Sequence, residues 1–387
     1  MKARHAIAVL AALVSMIVLA ACGDSGSSDT STGTGTSAAT SASSTTAATS
    51  GPSKKVGETS GPAGETATPT SELELSADEV DKIKSGNYTA ALVWHQSSDF
   101  VSAVSRGAKD EFAKLGIDVV AETNANFDAG KQKSDIETVE AKKPSVMLSL
   151  PVDPTATASA YRDAGKAGTK IVLLSNVPDG FVQGKDYVTV VTDDLFEMGH
   201  QAADALAQAI GGSGDIAYFF HDAKYYVTNQ RDEAFKQTIE QNYPDIHIVA
   251  EQGIADPAKA EDQANAILVK NPDLKGIYVT FSQPPAEGVL SALRNNGNTG
   301  TKLVSLDLDE PLAVDMARGG NTAALVADKA YDLGQAMAKA AAYGILGKKA
   351  PAFLVAPVVT VTKDNLEQGY QESLHEAPPK AVQDAMK

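Results

Sequence analysis

Beyond residue 75 the chain alternates between short apolar runs and longer segments of helical period. The runs are "TAALVW" (Thr89 to Trp94), "IDVVAE" (Ile117 to Glu122), "SVMLSL" (Ser145 to Leu150), "KIVLLS" (Lys170 to Ser175) and "YVTVV" (Tyr187 to Val191). After Gly211 a second set follows: "DIAYFF" (Asp215 to Phe220), "IHIVAE" (Ile246 to Glu251), "GIYVTF" (Gly276 to Phe281), "KLVSL" (Lys302 to Leu306) and "TAALVA" (Thr322 to Ala327). Continuous apolar strands separated by helices indicate parallel sheets covered on both faces. One helix shows the pattern well: Phe100, Val104, Ala108 and Phe112 fall four apart on one face, and Gly116 supplies the stop. Because the βα pattern runs through twice, it predicts two α/β lobes of similar size rather than one large sheet.

The first 75 residues read differently. Lys2 and Arg4 precede a run of mostly apolar residues from Ala6 to Ala21, followed by "LAAC" (Leu19 to Cys22) and polar Gly23, Asp24 and Ser25. A charged start, a short apolar stretch and small residues before a cut are the parts of a secretory signal peptide, here residues 1–21. The run is short for a membrane-spanning helix, and the cut before Cys22 is similar to the lipobox of bacterial lipoproteins. From Cys22 to about residue 75 the chain is dominated by Ser, Thr, Gly, Ala and Pro, and up to Ser71 Val56 is its single bulky apolar residue. Such a segment is expected to be a lipid-anchored, flexible tether.

Composition narrows the chemistry. Cys22 is the only cysteine, so once it is acylated there is no disulfide, thiolate cluster or cysteine nucleophile. Without Lys2 and Arg4, 31 basic residues face 49 acidic ones, a net charge of −18, which argues against nucleic acid or an anionic lipid surface as partner. The six histidines form no pair at i, i+4, so no metal site is expected. The glycines of "GGSGD" (Gly211 to Asp215) lie between a helix and a strand, the wrong order for a dinucleotide fingerprint, and read as a turn.

In open parallel sheets ligands sit outside the carboxyl ends of the strands, where helix N-termini and loops converge. Those ends carry His95, Ser97, Asp99 and Phe100 after the first run, and Ser175 and Asn176 after the fourth. In the second set they carry Arg231, Ser282, Gln283, Asp307 and Asp328. This is a set of hydrogen-bonding side chains with an aromatic, and it lacks a nucleophile and base at recognisable spacing. The stretch "SLDLDEP" (Ser305 to Pro311) ends a buried-looking strand in carboxylates, with Asp307 read as a ligand acceptor or a helix cap and Asp309 as the cap. A calcium loop would need a glycine and a closing glutamate at offsets this stretch lacks. Trp94, at a strand end, reads as core, and Asn176 as either a ligand contact or a turn former.

Order and motifs together resemble the type I periplasmic binding proteins of the ribose-binding kind, the solute receptors of sugar ABC importers, over Tyr88 to Val361. The resemblance is carried by "ALVWHQSSDFVSAVSRGAKDEFAKLGIDVV", by "GKDYVTVVTDDLFEMGHQAADAL" with Asp193 and Gly199, by "NQRDEAF" (Asn229 to Phe235) and by "VSLDLDEPLAVDMARGG". It implies two Rossmann-like lobes with parallel sheets joined by a three-strand hinge. The lobes would be 76–192 with 329–358, and 193–328 with 359–387, the chain crossing near Thr192 to Asp193, Asp328 to Lys329 and Val358 to Val359. It further implies that Arg231 and Asp307 bind sugar hydroxyls and that Phe100 packs on a sugar ring. Ser175-Asn176 stands where ribose binders carry an Asp-Arg pair, and Ser282 where they carry Asn, which points to a different ligand.

The expectation is an extracytoplasmic, lipid-anchored receptor, monomeric and without a cofactor, that captures a small sugar or polyol for an ABC permease and catalyses nothing. Its ligand-binding residues would be His95, Ser97, Asp99, Phe100, Asn176, Arg231, Ser282, Asp307 and Asp328. Two other readings stay open at this point: a sensor that signals to a membrane partner without transport, and a sugar-processing enzyme using Asp307 with a second carboxylate such as Asp328.

Overall fold

The computed structural model describes residues 53–387; the leader, Cys22 and the tether as far as residue 52 lie outside the described residues. The first elements in chain order are β1 (Thr68–Pro69), α1 (Ala77–Lys84), β2 (Thr89–Trp94), α2 (Asp99–Leu115), β3 (Asp118–Asn124) and α3 (Ala129–Glu140). Then come β4 (Val146–Ser149), α4 (Ala158–Ala167), β5 (Lys170–Leu174), β6 (Thr189–Asp193), α5 (Leu195–Ala209), β7 (Gly214–His221) and α6 (Tyr226–Asn242). They are followed by β8 (Ile246–Ile254), α7 (Ala260–Lys270), β9 (Gly276–Val279), α8 (Glu287–Asn295), β10 (Lys302–Leu306) and α9 (Glu310–Ala317). The chain ends with β11 (Thr322–Asp328), α10 (Ala330–Leu346), β12 (Phe353–Ala356), β13 (Val358–Thr362), α11 (Leu366–Leu374) and α12 (Lys380–Ala385).

These strands make two sheets. The first runs β1-β12-β6-β5-β4-β2-β3 and is parallel throughout; the second runs β13-β11-β10-β9-β7-β8 and is parallel except for antiparallel β13 on its edge. The chain passes between the sheets three times: after β6 at Asp193, after β11 at Asp328, and through Pro357 between β12 and β13. The architecture is the expected α/β pair of Rossmann-like halves. Each of the ten apolar runs supplies a strand; the central ones are almost wholly apolar because both sheet faces are covered, whereas the edge strands β3 and β8 keep exposed polar residues such as Asp118 and His247. The sequence reading did not pick out β1, β12 or β13 as strands: the first has two residues, and the last two are split by a single proline.

Helix ends follow local chemistry. Ser98 caps α2 by accepting from the Val101 N–H, and Gly116, at φ 69°, closes it. Val104, Ala108 and Phe112 of α2 are fully buried, and each large apolar side chain so buried contributes about 1.5–3 kcal/mol. Gly107 of α2 and Gly334 of α10 allow these helices to touch backbone to backbone: a Cβ on Gly107 would lie 2.0 Å from the Tyr331 carbonyl oxygen. Trp94 is core, its indole N–H donating to Ser105 Oγ at 2.7 Å.

Residues 53–75, inside the stretch expected to be a flexible tether, are folded onto the rest. Thr59 Oγ1 donates to Asp194 and accepts from the Phe196 N–H, Ser53 Oγ donates to Asp204, and Asn242 Nδ2 donates to the Lys54 carbonyl. These contacts hold the strand-like strap to α5 and α6. Further on, β1 adds to the edge of the first sheet beside β12, and Leu73 is buried. Composition missed this because polar side-chain pairing, rather than apolar burial, does the anchoring. Among the described residues no helix is long and apolar enough to cross a membrane.

Candidate functional site

The carboxyl ends of both sheets face one cavity, with about 770 Å³ of space including the part open to solvent. From the first sheet it takes the loop after β2 and the start of α2, Phe127, Leu150, and the Ser175-Asn176 corner after β5. From the second it takes His221 and Tyr225 after β7, Thr228 and Arg231 on α6, Phe281 to Gln283 after β9, and Asp307 to Asp309 after β10. Two crossing points, Asp193 and Asp328, close its floor.

Arg231 is delivered by the first turns of α6 and is 6 % exposed. Its Nη1 donates to Asp307 Oδ1 at 3.2 Å and its Nη2 to the Thr280 carbonyl at 3.4 Å, while Nε has no partner. The neighbouring Asp232 is turned away from the cavity and ties α6 to the sheet: it accepts from the His221 N–H, the Tyr278 hydroxyl and the Thr280 hydroxyl. Helix α5 packs against α6 closely enough that a Cβ on Gly199 would sit 2.1 Å from the Arg231 carbonyl oxygen. The height of the Arg231 backbone over α5 therefore depends on a glycine of another helix.

Asp307 answers the question of why a buried strand should end in acid. It leaves β10 at φ 68°, in the left-handed region, and Ser175 leaves β5 at φ 59°. Non-glycine residues held there cost about 1–3 kcal/mol, less for aspartate, and such strain gathers at functional sites. The turn aims the Asp307 carboxylate at Arg231. Two residues on, Asp309 caps α9 by accepting from the Leu312 N–H at 3.1 Å.

The three buried carboxylates form a chain, with Asp328 within hydrogen-bonding reach of both Asp193 and Asp307. Burial, and then the charge of Asp328, push Asp307 well above the usual carboxylate range, against the pull of Arg231. Burial, and then Asp193, push Asp328 up likewise, and burial raises Asp193 to about 7. Burial acts in the opposite sense on imidazoles, lowering His95 to about 3 and His221 to about 4, so both are neutral near pH 7. Aromatic rings complete the wall: His221 stacks on Tyr225 with centroids 4.9 Å apart, and Phe281 meets His221 edge-on. The Tyr225 hydroxyl donates to the Val152 carbonyl, linking the loop after β7 to the loop after β4.

Of the residues expected to contact ligand, His95, Asp99, Phe100, Asn176, Arg231, Ser282, Asp307 and Asp328 all line the cavity. Ser97 does not: it is exposed, and Ser98 faces inward in its place. Asp99 is exposed at the rim. Asn176, 2 % exposed, presents an unpaired Oδ1. The sequence reading missed Phe127, His221, Tyr225, Thr228 and Phe281 as site residues, and knew Asp193 only as a crossing point. Their signal was positional, since most follow directly on a strand end, but a lone aromatic there reads equally well as core.

Two parallel-sheet halves, three crossings and a cavity lined by polar and aromatic side chains between the strand ends define the class of a two-lobed binding protein. The chain belongs to the family described as periplasmic binding protein domain, whose model matches residues 89–349, and this is a family of binding proteins, not enzymes. It is 24 % identical over 268 residues to the ribose import binding protein RbsB of Bacillus subtilis, covering 69 % of this chain and 84 % of that protein. It is 26 % identical over 250 residues to the D-allose-binding periplasmic protein of Escherichia coli, covering 62 % and 78 %. Among solved structures, an ABC transporter solute-binding protein from Agrobacterium vitis, bound to α-D-tagatopyranose, superposes with a TM-score of 0.66 at 22 % identity, covering 72 % of this chain and 96 % of that one.

Proposed function

We propose that this chain is the lipid-anchored solute receptor of an ABC importer and captures a small sugar or polyol by closure of its two lobes. The lobes, 76–192 with 329–358 and 193–328 with 359–387, rotate about the three crossings, and ligand contacts from both sides favour the closed state that the permease engages. Cys22, released by signal-peptide cleavage, carries the lipid that holds the receptor on the outer side of the cytoplasmic membrane. Relatives named for ribose import and for D-allose binding support the ligand class.

The observation that carries this reading is the Asp307–Arg231 pair at 3.2 Å inside the cavity, beside aromatic rings. A hydroxyl both donates and accepts, so a buried polyol needs charged acceptors and fork-shaped donors together, with an apolar surface for its C–H face. The family's chemistry is capture, and Asp307 with Asp328 serve as acceptors rather than as an acid and a nucleophile.

The test is a thermal-shift screen of the chain against sugars and polyols, followed by calorimetry of the best ligand on Arg231→Ala and Asp307→Ala. Loss of one charge-assisted hydrogen bond weakens binding by about tenfold to a hundredfold. Wild-type affinity in both variants rejects the site; full retention of Cys22→Ala in the membrane fraction rejects the anchor.

A further inference from the structure

The cavity wall holds many more acidic than basic side chains. Five carboxyl groups line it, those of Asp99, Asp193, Asp307, Asp309 and Asp328, against the single guanidinium of Arg231 and no lysine. Arg231 already donates to Asp307, which leaves Asp193 and Asp328, each 3 % exposed, beside one another with no cation of their own, and burial pushes both toward the protonated form in the ligand-free chain. The two imidazoles in the wall are held neutral by burial and add no positive charge.

A second observation is independent of this cluster. Asn176, from a different loop and 2 % exposed, presents an Oδ1 that makes no hydrogen bond; Asp193 Oδ1, within the cluster, also lacks a donor, and Arg231 Nε is an unpaired donor of the same wall. Buried acceptors without donors are costly, and a ligand entering beside Asn176 and Asp193 must bring donors to them. A hydroxyl brings one donor with its two lone pairs. An ammonium brings three donors and no acceptor. The aromatic rings of Phe100, Phe127, Tyr225 and Phe281 line the same space, and such rings can attract a cation as well as pack on C–H groups.

From this imbalance we infer that the ligand is a polyhydroxylated ring carrying one protonated amine, an amino sugar or aminocyclitol, with its ammonium held between Asp193 and Asp328. The inference rests on the polyol reading and refines it. Asp307 and Arg231 take the hydroxyls, as in that reading, while the ammonium takes the place of the protons that burial puts on the carboxyl pair at the crossing strands. Because Asp193 and Asp328 are the points where the chain passes between the sheets, that exchange falls on the hinge and favours closure.

Calorimetry at about pH 6.5, below the titration of an ordinary amine, distinguishes the outcomes. The probes are matched sets: D-glucose, D-glucosamine and N-acetyl-D-glucosamine; the galactose counterparts; and scyllo-inositol with scyllo-inosamine. The expected result is that the amine of at least one set binds about tenfold or more tightly than both its hydroxyl parent and any N-acetyl form, the worth of a charge-assisted contact. Asp328→Asn, checked for folding by its melting curve, should cut that ratio by a similar factor. Tighter or equal binding of the neutral parents overturns the inference and leaves the polyol reading standing. A preference for the amine that survives in both Asp328→Asn and Asp193→Asn overturns the placement. If no member of any set binds, while neutral polyols also fail across the wider screen, the polyol reading falls as well.

Discussion

Gly199→Ala isolates the packing that holds Arg231 in place without touching the cavity. The added Cβ would lie 2.1 Å from the Arg231 carbonyl oxygen and 2.8 Å from both the Phe235 nitrogen and the Ala234 Cβ, whereas ordinary contact begins at 3.4 Å. Two of these three atoms are backbone and the third is a Cβ, so no flexible side chain can yield, and α6 must recede from α5 by roughly 1.3 Å. Overpacking of this kind costs about 1–3 kcal/mol. At about 2–4 °C per kcal/mol, the melting temperature of the ligand-free chain should fall by about 2–12 °C. The same recession exceeds the tolerance of the 3.2 Å bond from Arg231 to Asp307, so the stabilisation by a bound polyol should shrink too. Gly300→Ala, where a Cβ meets nothing within 4 Å, is the control and should shift stability by less than about 0.5 kcal/mol. The assay is thermal denaturation followed by circular dichroism, with and without the best ligand. A Gly199→Ala protein that melts with the Gly300→Ala control and keeps the full ligand shift would refute the account of how Arg231 is positioned.

Three further outcomes are expected. Burial lifts Asp193 to about 7 and Asp232 to about 6 from an ordinary 3.8, so the folded chain binds protons more tightly than the unfolded one. Their contribution to stability is complete below about pH 3.8 and is lost as pH rises through about 6 to 7; the melting temperature of the ligand-free chain should decline over that window, and Asp193→Asn should flatten the decline. Thr59→Val removes a buried hydroxyl that both donates to Asp194 and accepts from the Phe196 N–H, and should lower the melting temperature by a few degrees, or about 1–3 kcal/mol, whereas a free tether would give no change. Tyr225→Phe removes the donor to the Val152 carbonyl and should weaken polyol binding by about threefold to tenfold in calorimetry, since that bond ties the loop after β7 to the loop after β4 beside the cavity.

The ten apolar runs and the helical segments between them were legible because each is a local pattern: a strand buried on both faces must be apolar at every position, and a helix at every third or fourth. Strand ends follow from strands, so Asp307, Asp328 and Asn176 could be nominated from the same pattern, whereas Arg231, inside α6, was nominated chiefly by the family resemblance. The strap escaped because Ser53 and Thr59 find their partners, Asp204 and Asp194, some 151 and 135 residues away in sequence. Tyr225 and Phe281 escaped because nothing local distinguishes a cavity-facing aromatic from a buried one.

The sequence by itself therefore determined which segments are strands and helices, that they form two βα series, and which polar residues end the strands. Only the tertiary structure decided that Asp193, Asp328 and Asp307 share one buried site with a single guanidinium, that Gly199 sets the height of Arg231, and that Ser98 rather than Ser97 faces the cavity. The physical reason is that periodicity encodes what a residue does within its own turn or strand, whereas charge balance and orphaned hydrogen-bond groups exist only between segments distant along the chain.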